Sequence, residues 1–303
     1  MLSEVHATRP QGSYSDNLSV RPSVTDVRTS DTLIFAPTYN ESETIPILLD
    51  RLLALPMSCD ILIVDDHSTD GTTQLIGNRA SSDQRLRMIV RDGKLGIGSA
   101  HRLGWLYARY HGYSRFVSLD ADLSHDPADV PRLLSALDAG ADLAIASRFA
   151  PGGHLDYRGW RLFLSKNANR LARLLLQLPF YEYTTSFRAA KLDRVPAGLV
   201  EGIARQGYGF FLNCVVQLAR EKLVIAEVPI FFRNRHGGKS KIPRLEILRG
   251  VANLLWLAIY RRPAKRSALP DFACPACGGR YRVIMKSDEA LCLECLAKDR
   301  LQG

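Results

Sequence analysis

The chain of 303 residues is long enough for one large α/β domain or two ordinary ones, and with 46% apolar and 23% charged residues, 22 Gly and 15 Pro it is neither collagen-like, low-complexity nor wholly disordered. Six Cys are too few for a disulfide scaffold, and four of them form two C-x-x-C pairs, which points to a metal and a reducing compartment. The net charge of +9 is uneven: residues 1–157 carry 14 Lys/Arg against 20 Asp/Glu and residues 158–266 carry 21 against 6, so the first part predicts a bound cation and the second an anionic partner, whether nucleic acid, phospholipid surface or phosphorylated ligand.

Residues 1–30 are rich in Ser, Thr, Pro, Arg and Asp without a sustained period and read as a disordered leader. They lack the apolar block of a secretory signal, and no later segment reaches the ~18–20 apolar residues of a membrane span. The catalytic region is therefore expected in the cytoplasm. From residue 32 short apolar runs (33–37, 61–66, 87–90, 115–120, 143–147) alternate with helical stretches (44–55, 72–80, 98–110, 128–139). Continuous apolar runs are strands buried on both faces, and strand–helix alternation builds a parallel sheet, so this part is α/β and Rossmann-like. After Arg148 the alternation stops, with helices expected over 159–178, 210–222 and 243–260, a strand over 224–232, and a basic, proline-bounded linker before a Cys-rich tail.

In an open parallel sheet ligands bind beyond the carboxyl ends of the strands. The expected strands end in Pro37-Thr38-Tyr39-Asn40-Glu41, Asp65-Asp66, Asp120-Ala121-Asp122 and Ser147-Arg148, which would bring four aspartate carboxylates and an arginine to one edge. No G-x-G-x-x-G follows the first strand, which disfavours a dinucleotide-binding enzyme; Gly96 and Gly98 serve either a turn or a ligand contact. Asp120 and Asp122, two residues apart across a small residue, can share one Mg²⁺ or Mn²⁺ bound to phosphate oxygens, although Asp122 or Asp126 could instead cap the helix after Pro127.

The ordered series APTYNE (36–41), VDDHSTDGT (64–72), DADLSH (120–125), SR (147–148), SKNANR (165–170), TTSFR (184–188), VPI (228–230) and RHGGKSK (235–241) resembles the family-2, GT-A-fold glycosyltransferases, and within them the dolichol- or polyprenol-phosphate mannosyltransferases. The resemblance spans about residues 32–260 and implies transfer of mannose from GDP-mannose to a polyprenyl phosphate on the cytoplasmic face of a membrane. Carried over by position, it implies that Pro37, Tyr39, Glu41, Val64 and Asp66 hold the nucleoside and that Asp120 and Asp122 hold the metal on the diphosphate, with Ala121 against the nucleotide. Arg235 and Lys241 would close over the diphosphate, and Arg148, Arg161 and Ser165 would receive the lipid phosphate. Ser124 stands where relatives often have Gln and is a candidate third metal ligand; Asn213 and Glu182 depart from the family pattern as well. The acceptor phosphate is already anionic, so no strong general base is needed, and His67, His125 and His236 are assigned supporting positions.

Residues 160–178 and 243–260 mix Arg and Lys with Leu, Phe and Trp, as helices in a headgroup layer do, or as helices packed on the sheet with a solvated basic face do. In the second case a transmembrane partner would supply the anchor. Cys274, Cys277, Cys292 and Cys295, spaced C-x2-C-x14-C-x2-C beside Gly278-Gly279, resemble a structural zinc ribbon, with a rubredoxin-type iron site or unbound thiols as alternatives. The expected organisation is a leader (1–30), a GT-A domain (31–242), an amphipathic membrane helix (243–262), a linker (263–271) and a zinc ribbon (272–298). The alternative activities are transfer from UDP-glucose or another nucleotide sugar, transfer to a saccharide, and a nucleic-acid-binding adaptor; the charge balance of residues 267–303 makes nucleic acid the disfavoured partner.

Overall fold

A computed structural model describes residues 28–156, 160–203, 208–234 and 244–259 and two short strands beyond them. The first part alternates as expected: β1 (Thr32–Thr38), α1 (Ile45–Leu53), β2 (Asp60–Asp65), α2 (Thr72–Ala80), β3 (Leu86–Val90), α3 (Ile97–Tyr110), β4 (Arg115–Ser118), a 3₁₀ turn (Pro127–Asp129), α4 (Val130–Asp138) and β5 (Leu143–Ser147). There follow β6 (His154–Leu155), α5 (Trp160–Leu176), β7 (Arg188–Lys191), α6 (Tyr208–Arg220), β8 (Ile225–Pro229), β9 (Phe231–Phe232), α7 (Arg244–Ile259) and a small antiparallel pair, β10 (Val283–Ile284) and β11 (Ala290–Leu291).

The main sheet runs β3-β2-β1-β4-β7-β5-β8. β7 is antiparallel to both β4 and β5, and the other pairings are parallel. The chain winds outward from β1 to β2 and β3, then returns to place β4 on the other side of β1. That reversal opens a crevice between the carboxyl ends of β1 and β4, where ligands bind in such sheets.

Alternate residues of β1 feed opposite layers, because side chains on a strand alternate faces. Ile34 and Ala36 pack with α1, α2 and α4, which bury Ile45, Leu48, Ile76, Val130, Leu133 and Leu137; each contributes roughly 1.5–3 kcal/mol of transfer energy. Leu33 and Phe35 face the second layer, where Leu103 and Trp105 of α3, Phe210 and Phe211 of α6 and Leu254 and Leu257 of α7 close the core. Helix α7 is therefore tied into the main domain rather than standing apart from it: Asn213 Nδ2 donates to Asn253 Oδ1 (3.2 Å) and Arg220 Nη2 to the Leu257 carbonyl (3.0 Å).

Two boundaries differ from the sequence reading. The strand expected over 224–232 divides at Ile230: β8 joins the main sheet, and β9 turns away to pair with β6. The unexpected β7, Arg-Ala-Ala-Lys, sits in the interior because Arg188 gives its guanidinium to the carbonyls of Phe211 (3.0 Å) and Tyr183 (2.9 Å), which offsets part of the cost of burying a charge.

His101 on α3 lies buried against the rings of Phe35, Phe210 and Phe211, and burial pushes its pKa down to about 3. The unfolded chain protonates this imidazole below about pH 6.5 while the folded chain does not, so its contribution to stability is lost as pH falls through that value, by about 1.4 kcal/mol per pH unit. The fall in unfolding free energy between pH 6.5 and 5, read from urea titrations, is expected to be shallower in His101→Phe; an unchanged slope would contradict the burial argument.

Candidate active site

Three strand exits are held in a conformation uncommon for side-chain-bearing residues: Asn40 after β1, His67 after β2 and Leu123 after β4 have φ of 53°, 61° and 59°. At the first two exits the loops are joined by hydrogen bonds. Asn40 N donates to Ser68 Oγ (2.8 Å), Thr69 N to Asn40 Oδ1 (2.9 Å), Glu41 N to Thr72 Oγ1 (2.9 Å) and Ser42 N to Asp70 Oδ2 (3.0 Å). The Glu41 carboxylate accepts from Thr44 Oγ1 at the start of α1 (3.1 Å).

Adjacent aspartates at the end of β2 have different tasks. Asp65 is fully buried and accepts from Thr38 Oγ1 (2.9 Å), Thr73 Oγ1 (2.7 Å) and both the backbone N and the hydroxyl of Ser68. Of the four carboxylates expected at the edge, this one serves the scaffold, because its lone pairs are committed to the two loops. Asp66 forms a buried ion pair with Arg91 and accepts from Gly96 N (3.0 Å); Arg91 in turn donates from Nη1 to Ser99 Oγ (2.6 Å) and from Nη2 to the Gly96 carbonyl (3.2 Å). Gly96 thus belongs to a turn, and its φ of 89° explains why glycine stands there. The turn carries Lys94, whose Nζ lies 4.1 Å from the Tyr39 ring centroid. Pro37 and Tyr39 are half-buried at the rim. Val64 and Ala121, expected beside the nucleotide, have their side chains buried in the core.

At the β4 exit, Asp120 and Asp122 are each oriented by a serine. Ser186 Oγ donates to Asp120 Oδ1 (2.6 Å), and the Ser186 carbonyl is fixed by Ser118 Oγ (2.6 Å). Ser124, the candidate third metal ligand, is buried and gives both its N (3.0 Å) and its Oγ (2.5 Å) to Asp122 Oδ1, so its hydroxyl aligns the carboxylate. His125 Nδ1 accepts from Asp120 N (3.1 Å), which assigns the ring proton to Nε2, and burial holds the imidazole neutral by lowering its pKa. Asp120 keeps about a quarter of its side chain exposed (26%). Two inter-strand spacings, roughly 10 Å, separate the β2 exit from the β4 exit, with β1 between them.

Across the sheet, Arg148 follows β5. Its Nε donates to Glu182 Oε2 (2.7 Å), its Nη2 lies 3.4 Å from Glu182 Oε1 and 3.3 Å from Thr184 Oγ1, and its guanidinium rests 4.8 Å from the Phe232 ring centroid. The following turn packs so closely that a Cβ at Gly153 would stand 2.7 Å from the Ser147 carbonyl oxygen. Arg233 links this region to the β4 exit: its N donates to the Ser124 carbonyl (3.1 Å) and its Nη2 pairs with Asp126 (3.0 Å). The chain thus leaves the described residues beside the Asp120–Asp122 loop; Arg235 and Lys241 lie outside them. Ser165 is half-buried on α5, one turn before Asn169, and the Arg161 side chain falls outside the described residues. Four contributors were given no role in the sequence reading: Arg91 and Lys94, which lie in no motif, Ser186, which lies inside TTSFR, and Glu182, noted there as a departure from the family pattern.

These loops belong to a recognised family. The family model described as "Glycosyl transferase family 2" matches residues 33–194, the span from β1 past β7. The chain belongs to glycosyl transferase family 2. This glycosyltransferase is 38% identical over 240 residues to the "Polyprenol monophosphomannose synthase" of Mycolicibacterium smegmatis, covering 78% of this chain and 88% of that protein. It is 37% identical over 211 residues to the "Undecaprenyl-phosphate mannosyltransferase" of Micrococcus luteus, covering 69% and 86%. The fold is GT-A: the crystal structure of glucosyl-3-phosphoglycerate synthase from Mycobacterium tuberculosis, in complex with Mn²⁺, UDP and glucosyl-3-phosphoglycerate, superposes with a TM-score of 0.52 at 21% identity, covering 74% of this chain and 78% of that one.

Proposed function

We propose that this glycosyltransferase moves mannose from GDP-mannose to the phosphate of a polyprenol, with inversion at the sugar carbon. The observation that carries the reading is the 38% identity across 88% of a polyprenol monophosphomannose synthase. The geometry supports it. The β1/β4 crevice has Tyr39 and Asp66 at one end and Asp120 and Asp122 at the other, a spread suited to a nucleoside and its diphosphate. Arg148 stands beyond β7 with α5 beside it.

The Asp120–Asp122 pair fits a hard dication: two carboxylates held by Ser186 and Ser124, with Asp120 partly open to solvent. Bound there, Mg²⁺ or Mn²⁺ would neutralise the charge that grows on the departing diphosphate. The chain's own residues do the rest. Arg235 and Lys241, which follow Arg233 in the sequence, add positive charge where the leaving group develops it. Arg148 and Ser165, with Arg161, hold the acceptor phosphate, whose oxygen attacks without a protein base. Ser124 orients Asp122 by donating its N and Oγ to the carboxylate.

Helices α5 and α7 pack side by side and expose Phe163 (72%), Leu174 (72%) and Ile259 (73%), together with Leu171, Leu255 and Trp256. Arg170 and Arg173 flank this patch, and such a surface suits the headgroup layer of an anionic membrane, on its cytoplasmic face. No described helix is long and apolar enough to cross a membrane. The four tail cysteines lie outside the described residues; the β10–β11 hairpin falls between the two pairs, as a ribbon requires, and four thiols suit a structural Zn²⁺.

Radiolabelled GDP-mannose and UDP-glucose, each offered with polyprenyl phosphate in anionic vesicles, test the proposal. Label moving from GDP-mannose into the organic phase is the expected result. Label appearing solely in water-soluble glycan, or solely from UDP-glucose, would overturn the acceptor or the donor assignment respectively.

A further inference from the structure

Glu182 has no exposed surface and sits between two halves of the proposed acceptor site. It receives Arg148 Nε and Nη2, Thr184 N (3.1 Å), Thr184 Oγ1 (2.9 Å) and Asn169 Nδ2 (3.5 Å). Burial alone would lift its pKa, but Arg148 and the Thr184 donors hold the carboxyl below its usual range, so it is an anion at neutral pH. Asn169 is buried too: its Oδ1 accepts from Tyr183 N (2.9 Å), and its Nδ2 also reaches the Ser165 carbonyl (3.1 Å) one turn earlier on α5. Glu227, from β8, seats the same turn by accepting from Tyr181 N and Glu182 N (both 2.9 Å).

This network does more than neutralise an arginine. A side-on carboxylate fixes the plane and rotation of a guanidinium, because two parallel donor–acceptor contacts leave it no free torsion. Through Asn169 Nδ2 (3.5 Å) the same carboxylate is linked to α5, and positions 161, 165 and 169 recur every four residues and so share one helix face. Resting on the acceptor reading above, we infer that Glu182, acting with Asn169, is the positioning residue of the acceptor-phosphate site. It fixes the separation between Arg148 on the β5 exit and Ser165 on α5, so that one phosphate can meet both. Glu182 touches no substrate; it acts through Arg148 and α5.

The test is steady-state kinetics of the full chain with polyprenyl phosphate in vesicles and GDP-mannose, on wild type, Glu182→Gln, Glu182→Asp and Asn169→Ala. Glu182→Gln keeps shape and removes charge. It is expected to raise the acceptor KM roughly tenfold, the usual scale for losing an outer partner of a binding group, with the donor KM at its wild-type value. Asn169→Ala should raise the acceptor KM by less, and Glu182→Asp, which restores the charge, should recover part of the loss. Should Glu182→Gln fail to fold, Glu182→Asp and Asn169→Ala carry the comparison. An unchanged acceptor KM in folded variants, or donor and acceptor KM rising together, would overturn the positioning role alone. A wild-type enzyme with no transfer to polyprenyl phosphate would overturn the acceptor reading first and this inference with it.

Discussion

Alanine at Asp122 is expected to lower kcat about 10³-fold, the scale for removing one electrostatic contact to charge that develops during reaction. The reason lies in how this carboxylate is held. Its Oδ1 takes two donors from Ser124, so the side chain is pre-aimed and no reorganisation accompanies the chemistry. Asp120→Asn makes a sharper companion, since the amide oxygen can still accept from Ser186 Oγ while the charge is gone. Both variants should lose activity, and EDTA should reduce the wild type to their level. Added Mn²⁺ or Mg²⁺ should restore the wild type and leave the variants inactive. Transfer assays with GDP-mannose across a metal titration measure this, and full wild-type turnover in EDTA would remove the dication from the mechanism.

Much of the α/β layer was legible because its strands are buried on both faces and its helices on one, which leaves continuous apolar runs separated by periodic ones. β1, β2, β4 and β5 fall within or beside the runs that announce them. β7 left no such trace: four residues framed by Arg and Lys form a strand only because carbonyls of α6 and the 183 turn wait for Arg188. In the site, the partners that each candidate side chain holds were not readable from sequence. The family resemblance singled out Asp66 and left Asp65 without a role; strand geometry sends Asp65 into the loops and Asp66 toward Arg91. Ser124 was readable as a ligand candidate, and its donation to Asp122 was not. The amphipathic reading of α7 holds for one face: Leu255, Trp256 and Ile259 are exposed, while Leu254 and Leu257 belong to the core, a partition set by which side meets α6. Glu182 was visible as a departure from the family pattern, but a buried acid acquires meaning only when its partners are known.

Asp66 offers a way to separate support from binding in this site. Asp66→Ala leaves the Arg91 guanidinium, 2% exposed, with Ser99 Oγ and the Gly96 carbonyl but without its counter-charge, and breaking one side of such a buried pair costs about 3–5 kcal/mol. The 91–96 turn also loses the carboxylate that accepts from Gly96 N, and with it the placement of Lys94 against Tyr39. Asp66→Ala/Arg91→Met removes both charges and fills the space with an apolar chain, so stability should return to near the wild-type value, because replacing a buried pair by apolar groups is often neutral. The donor KM should not return with it. A carboxylate that meets the nucleoside directly contributes hydrogen bonds worth about 1.5–3 kcal/mol, a ten- to hundredfold effect that methionine on the neighbouring strand cannot supply. Urea unfolding and donor titrations on the single and double variants decide the matter. If stability and donor KM recover in step, Asp66 serves the nucleotide solely by holding the turn, and the base or ribose contact passes to Tyr39 and Lys94.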